Sequence, residues 1–101
     1  MKIIKRFFKS RSLKDFADEH GLTMKLRQEW NSDHKPTYEH SWWATFEPHV
    51  QKKYDDMPVC GVGRTEKEAM RNYAWKLSEH RLVIGGYSKD AIEVDCPVLK
   101  V

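Results

Sequence analysis

The stretch Gly61-Val-Gly-Arg-Thr-Glu-Lys-Glu-Ala-Met-Arg-Asn-Tyr-Ala-Trp-Lys-Leu77 constrains the fold more than any other part of the chain. Val59, Cys60 and Val62 make a short apolar run that reads as a strand. Thr65 follows as an N-cap, and Glu68, three residues on, completes a capping-box pair. Beyond the cap, Ala69, Met70, Tyr73, Ala74 and Leu77 recur at helical spacing, which gives the helix one apolar face. A strand running straight into such a helix must pack against it. Gly61 and Gly63 read as the places where the two backbones approach closely. The same Gly-x-Gly lacks the third glycine and the Lys-Ser/Thr pair that hold a nucleotide.

Upstream, Ser12 reads as an N-cap with Asp15 three residues later, Leu13, Phe16 and Ala17 form an apolar stripe, and Gly21 is the expected helix stop. Leu22, Met24 and Leu26 then alternate with Thr23, Lys25, Arg27 and Glu29, the pattern of a half-buried strand. Residues 31–36 read as a turn. Tyr38, His40, Trp42, Ala44 and Phe46 predict a second strand, with Trp43 on its opposite face. The polar run from Glu47 to Asp56 predicts an exposed loop. After the long helix, Leu82-Val83-Ile84 reads as a short strand and Gly85-Gly86 as a turn. Ile92, Val94 and Cys96 predict a last strand, which Pro97 confines to an edge or an end.

These elements predict one α+β domain over residues 1–101, its helices packed on one face of an antiparallel sheet. Residues 1–11 form a basic N-terminal arm, 12–80 an α-β-β-β-α core, and 81–101 an extension of one or two strands. A hydrophobic fraction of 40% supplies a core despite 33% charged residues. In the arm, Ile3, Ile4, Phe7 and Phe8 fit either a short amphipathic helix or a strand, and the period cannot choose between them.

Charge is uneven. The formal net charge is only +3, yet Lys2, Lys5, Arg6, Lys9, Arg11 and Lys14 all precede the first acid, Asp15. The arm reads first as a solvated face over four apolar anchors, and otherwise as a contact for nucleic acid or a membrane surface. No apolar run nears the ~20 residues of a membrane span, and the N-terminal apolar pairs are too broken for a signal-peptide core. Two cysteines, Cys60 and Cys96, fit a reduced compartment, so the cytoplasm is the expected location.

Catalytic patterns are weak. His20, His34, His40, His49 and His80 offer no pair with metal-ligand spacing, and no Cys-x-x-Cys exists. His40 reads as a hydrogen-bonded core or edge residue and Cys60 as a buried structural cysteine. A hydrolase would need an acidic metal site, for which Glu47 and Asp55-Asp56 are the nearby residues, in or beside a solvated loop. No cofactor, metal or catalytic residue is expected. Lys25, Arg27 and Trp43 are expected together on the exposed sheet face, a composition suited to a protein–protein hot spot. Trp75 falls off the helix's apolar stripe, so it is either covered by the C-terminal strands, which is the expected case, or offered to a partner.

From about Ser12 to His80 the order of elements resembles the double-stranded RNA-binding domain. Asp33-His34-Lys35-Pro36-Thr37-Tyr38 is similar to that family's first inter-strand loop, whose histidine reaches into a minor groove. Gly61 to Ala69 is similar to its third-strand glycines and the Ser-Lys-Lys-x-Ala-Lys opening of its last helix. The resemblance implies phosphate contacts from that helix N-terminus, but the corresponding positions here are Glu66, Lys67 and Met70. Only Lys67 keeps the charge, so the fold carries over and the RNA clamp does not.

The chain as a whole also resembles small proteins of tailed bacteriophages, some of which inhibit host nucleases or defence systems. That likeness implies a non-catalytic accessory protein that occludes a host protein in the bacterial cytoplasm, for which the sheet-face residues Lys25, Arg27 and Trp43 are the candidate contact. The alternative is direct nucleic-acid binding through Lys2, Lys5, Arg6, Lys9, Arg11, His34, Lys35 and Lys67. No membrane partner is expected, and homodimerisation is left open.

Overall fold

The structure is a computed structural model that describes residues 10–30, 40–55, 57–85 and 89–101. It is mixed α+β, with two helices and eight strands among those residues: β1 (Ser10–Ser12), α1 (Leu13–His20), β2 (Thr23–Trp30), β3 (His40–Glu47), β4 (Val50–Lys52), β5 (Gly61–Gly63), α2 (Glu66–Leu77), β6 (Arg81–Ile84), β7 (Ile92–Asp95) and β8 (Val98–Lys100). Residues 1–9, which hold most of the basic arm, lie outside the described residues, as do His34, Lys35 and Gly86 and the side chain of His40.

Both helices have the ends their sequences predict. Ser12 Oγ accepts from the Asp15 N–H at 2.9 Å, and Gly21 closes α1 with φ of 66°, a left-handed conformation that glycine adopts without a Cβ penalty. Thr65 Oγ1 accepts from the Glu68 N–H at 3.0 Å. The Glu68 carboxylate reaches back to the Arg64 N–H at 3.0 Å, one residue earlier than the reciprocal bond of an ideal capping box.

The central sheet has the order β2-β3-β5, all antiparallel. Met24 lies opposite Phe46, and Leu26 opposite Ala44. This face carries both helices. Phe16 of α1 stacks on Phe46 with centroids 6.3 Å apart, and Tyr73 of α2 meets the same ring edge-on at 5.2 Å. The glycines allow α2 to sit this close. A Cβ on Gly61 would stand 2.3 Å from the Ala69 carbonyl oxygen, and one on Gly63 would stand 2.6 Å from the Ala69 nitrogen. Because β5 begins opposite Ala44 and its ladder with β3 goes no further, the Phe46 N–H lacks a strand partner on that side. The Tyr73 hydroxyl accepts it at 2.9 Å, and burial pushes the phenol up to about 12.

Several expectations fail, each because pairing is non-local. The stretch 47–56 is not wholly loop: past a cis Glu47–Pro48 bond, Val50–Lys52 forms β4, and Val50 is fully buried. β4 pairs with β6, which pairs with β7, giving a second antiparallel sheet. The third strand of the central sheet is shorter than predicted, and Cys60 precedes it, half-buried. Cys96 is the buried cysteine, its thiol pushed up to about 12 by burial. Three strands follow α2, because the chain resumes after Pro97 as β8. β8 pairs parallel to β1, so not every sheet is antiparallel.

Candidate functional site

The register of β2 and β3 places Arg27 opposite Trp43 and Lys25 opposite Thr45. These side chains share the outer face of the central sheet, away from the helices. The Arg27 guanidinium lies 5.8 Å from the Trp43 ring centroid, within cation–π range. Lys25 lies two residues along the same face. Trp43 is half-buried, and its Nε1 is shut off from solvent with no hydrogen-bond partner among the described residues. The indole N–H of this pair is thus withdrawn from a partner.

The described part of the basic arm is engaged locally. Arg11 lies on β1 and forms an ion pair with Glu19 of α1. Lys2, Lys5, Arg6 and Lys9, with His34 and Lys35 of the first inter-strand loop, lie outside the described residues.

The structure overturns the expectation for Trp75, which is 78% exposed. The C-terminal strands do reach α2. The Leu99 N–H of β8 donates to Ser78 Oγ at 2.9 Å, and that hydroxyl donates to the Ala74 carbonyl at 2.7 Å. This contact lies at the C-terminal end of the helix, where Leu99 is buried. The indole one residue beyond Ala74 is left outside.

Trp75 stands between two grooves. One, of about 770 Å³, is lined by Lys52, Lys67, Arg71, Lys76 and Lys100 around the indole. Glu79 is the one Asp or Glu of its lining, and His80 also borders it. Lys67, Arg71 and Trp75 are successive i, i+4 positions of α2, so the helix aligns them on one face. Lys52 comes from β4 and Lys100 from β8. Lys52, Lys67, Arg71 and Lys100 make no ion pair with another described residue. Lys76 instead donates to the Cys60 carbonyl at 3.0 Å, which ties the helix to the segment before β5. The second groove, about 560 Å³, shares Lys52, Trp75 and Lys76 with the first and adds Asp55, Pro58 and Met57, itself 74% exposed.

Of the residues that the sequence assigns to a binding site, only Lys67 lines the 770 Å³ groove. Lys52, Arg71, Trp75, Lys76 and Lys100 were not assigned to a site. The Lys67-Arg71-Trp75 stripe was a usable signal, whereas the contribution of β4 and β8 depends on the fold.

Among the described residues, no group of three or more His, Cys, Asp or Glu is placed to hold a metal ion, and no helix is long and apolar enough to cross a membrane. No protein-family model, curated protein or solved structure matches the chain.

Proposed function

We propose that this protein is a non-catalytic nucleic-acid-binding domain whose contact surface is the α2–β4–β8 groove. The observation that carries the reading is an indole 78% exposed in a groove lined by five Lys or Arg side chains and one acidic side chain. Cations attract the phosphate backbone and gain affinity by counterion release. An exposed aromatic adds a face on which bases or sugars can rest. This differs from the clamp of the RNA-binding domain that the element order resembles. The charge lies along the exposed face of α2 and on β8, while the helix N-terminus carries Glu66 and Glu68.

The test is a titration of labelled single-stranded and duplex oligonucleotides across a salt series. Four cations without ion pairs predict a log–log slope of about −2.8 on a single strand and about −3.6 on a duplex if each meets one phosphate. Reversing charge with Lys67→Glu and Arg71→Glu together should weaken binding by roughly tenfold or more and flatten the slope. Absence of binding at low salt, or binding insensitive to the double reversal, overturns the proposal.

A second reading, occlusion of a host protein by a phage-encoded accessory factor, is favoured by the Arg27–Trp43 pair on the outer sheet face. Its test is retention of a stoichiometric protein from bacterial lysate that an Arg27→Glu variant fails to retain. No such protein, or equal retention by the variant, removes this reading.

A further inference from the structure

An exposed indole set among cations selects among nucleic acids. Lys67, Arg71 and Lys100 line the first groove, Met57, Pro58 and Asp55 the second, and Lys52, Trp75 and Lys76 border both. A duplex presents a wall of phosphates and keeps its base faces stacked internally, so an indole projecting from a helix gains little from it. A single strand presents a phosphate track and unstacked bases side by side. It can therefore satisfy the cations and the exposed indole at once.

We propose that Trp75 is the base-stacking platform of a single-stranded nucleic-acid site, with Lys67, Arg71 and Lys100 holding the adjoining phosphates and Met57 bordering the base side. This inference rests on the nucleic-acid reading of the groove and narrows it to one class of ligand. Trp75 is suited to the role because it is attached to a rigid part of the fold. Its neighbour Ala74 is buried, Leu77 is fully buried, and Lys76 is pinned to the Cys60 carbonyl. A strand stacking on the indole would then lose its own freedom while the protein loses little, which favours affinity. An acidic protein segment would satisfy the cations but would leave the indole without a planar partner.

The experiment measures fluorescence anisotropy of a labelled oligothymidylate of about twelve nucleotides and of a duplex of equal length, at fixed low salt. The proteins are wild type, Trp75→Ala and Trp75→Phe, with circular dichroism confirming that each is folded. Expected results are tighter binding of the single strand by wild type and a loss of roughly 5- to 150-fold for it in Trp75→Ala, the range for one stacked base. Trp75→Phe should recover most of that loss, and duplex affinity should change by less than about twofold. Equal losses for both oligonucleotides, no loss for either, or displacement of the oligonucleotide by polyglutamate at matched charge overturns the inference. If wild type binds neither oligonucleotide at low salt, the nucleic-acid reading itself falls. If it binds them independently of Trp75, that reading survives and only the stacking platform is lost.

Discussion

Replacing Gly61 by alanine tests the packing that holds α2, and with it the groove, in place. The new Cβ would stand 2.3 Å from the Ala69 carbonyl oxygen, 2.4 Å from the Tyr73 nitrogen and 2.5 Å from the Tyr73 Cβ. Ordinary contact begins near 3.4 Å, so the helix must retreat by about 1 Å, because two of the three obstacles are backbone. Overpacking of this kind costs about 1–3 kcal/mol. The same retreat draws the Tyr73 hydroxyl away from the Phe46 N–H, adding about 1 kcal/mol for a weakened buried hydrogen bond. The expected total is about 3 kcal/mol, or a fall in Tm of about 12–24 °C for a domain of this size. Gly63→Ala, whose nearest contact is 2.6 Å, should cost somewhat less. Gly21→Ala is the control. Nothing lies within 4 Å of its added Cβ, so it pays only the left-handed backbone penalty of about 1–2 kcal/mol. Urea unfolding of the three variants, with m-values compared, measures the order. If Gly61→Ala is no more destabilising than Gly21→Ala, the close-approach argument is wrong.

Tyr73→Phe should destabilise by about 1–3 kcal/mol, because it leaves the Phe46 N–H buried without an acceptor; chemical denaturation reads this. In wild type the phenol's folded pKa, about 12, is raised above its ordinary 10.0. Its contribution is therefore whole below pH 10 and is lost as pH climbs toward about 12, a fall that Tyr73→Phe should reduce. Thr65→Ala removes the hydroxyl that caps α2 and should cost about 1 kcal/mol, visible as a lower urea midpoint. Glu93 sits between Arg81 Nε at 3.0 Å and Lys53 Nζ at 3.1 Å, and the bond from Arg81 is the largest cause lowering its pKa below the ordinary carboxylate value. Stability from this group is present above the unfolded carboxyl pKa and fades as pH falls through the folded one, so Glu93→Gln should flatten the acid limb of a stability–pH curve.

Where local signals converged, the fold was legible. In the segment from Gly61 to Leu77, the cap, the apolar stripe and the two glycines each pointed to a strand packed against a helix, and each is realised. β4 escaped because Val50 is the only aliphatic residue between Glu47 and Asp56, and its partner β6 lies some thirty residues on. β8 escaped because Pro97 marks an end to β7 without forbidding a new strand, and a parallel pairing with β1 has no local signature. The Trp75 site was half legible. Helical spacing puts Trp75 off the buried stripe and in line with Lys67 and Arg71, but only the path of β6, β7 and β8 shows that none of these strands covers it. Lys52 and Lys100 join that line through tertiary packing alone. The outer-face pairing of Arg27 with Trp43 followed directly from strand alternation, whereas the withdrawal of the indole Nε1 from solvent did not.

The most direct test of the binding account is an amide chemical-shift map of the protein titrated with single-stranded oligonucleotide at low salt. The account predicts shifts concentrated in Lys67–Ser78, at Lys52 and along Val98–Lys100, weakening together as salt rises. Shifts confined to the Arg27–Trp43 face, or none at saturating oligonucleotide, would contradict it.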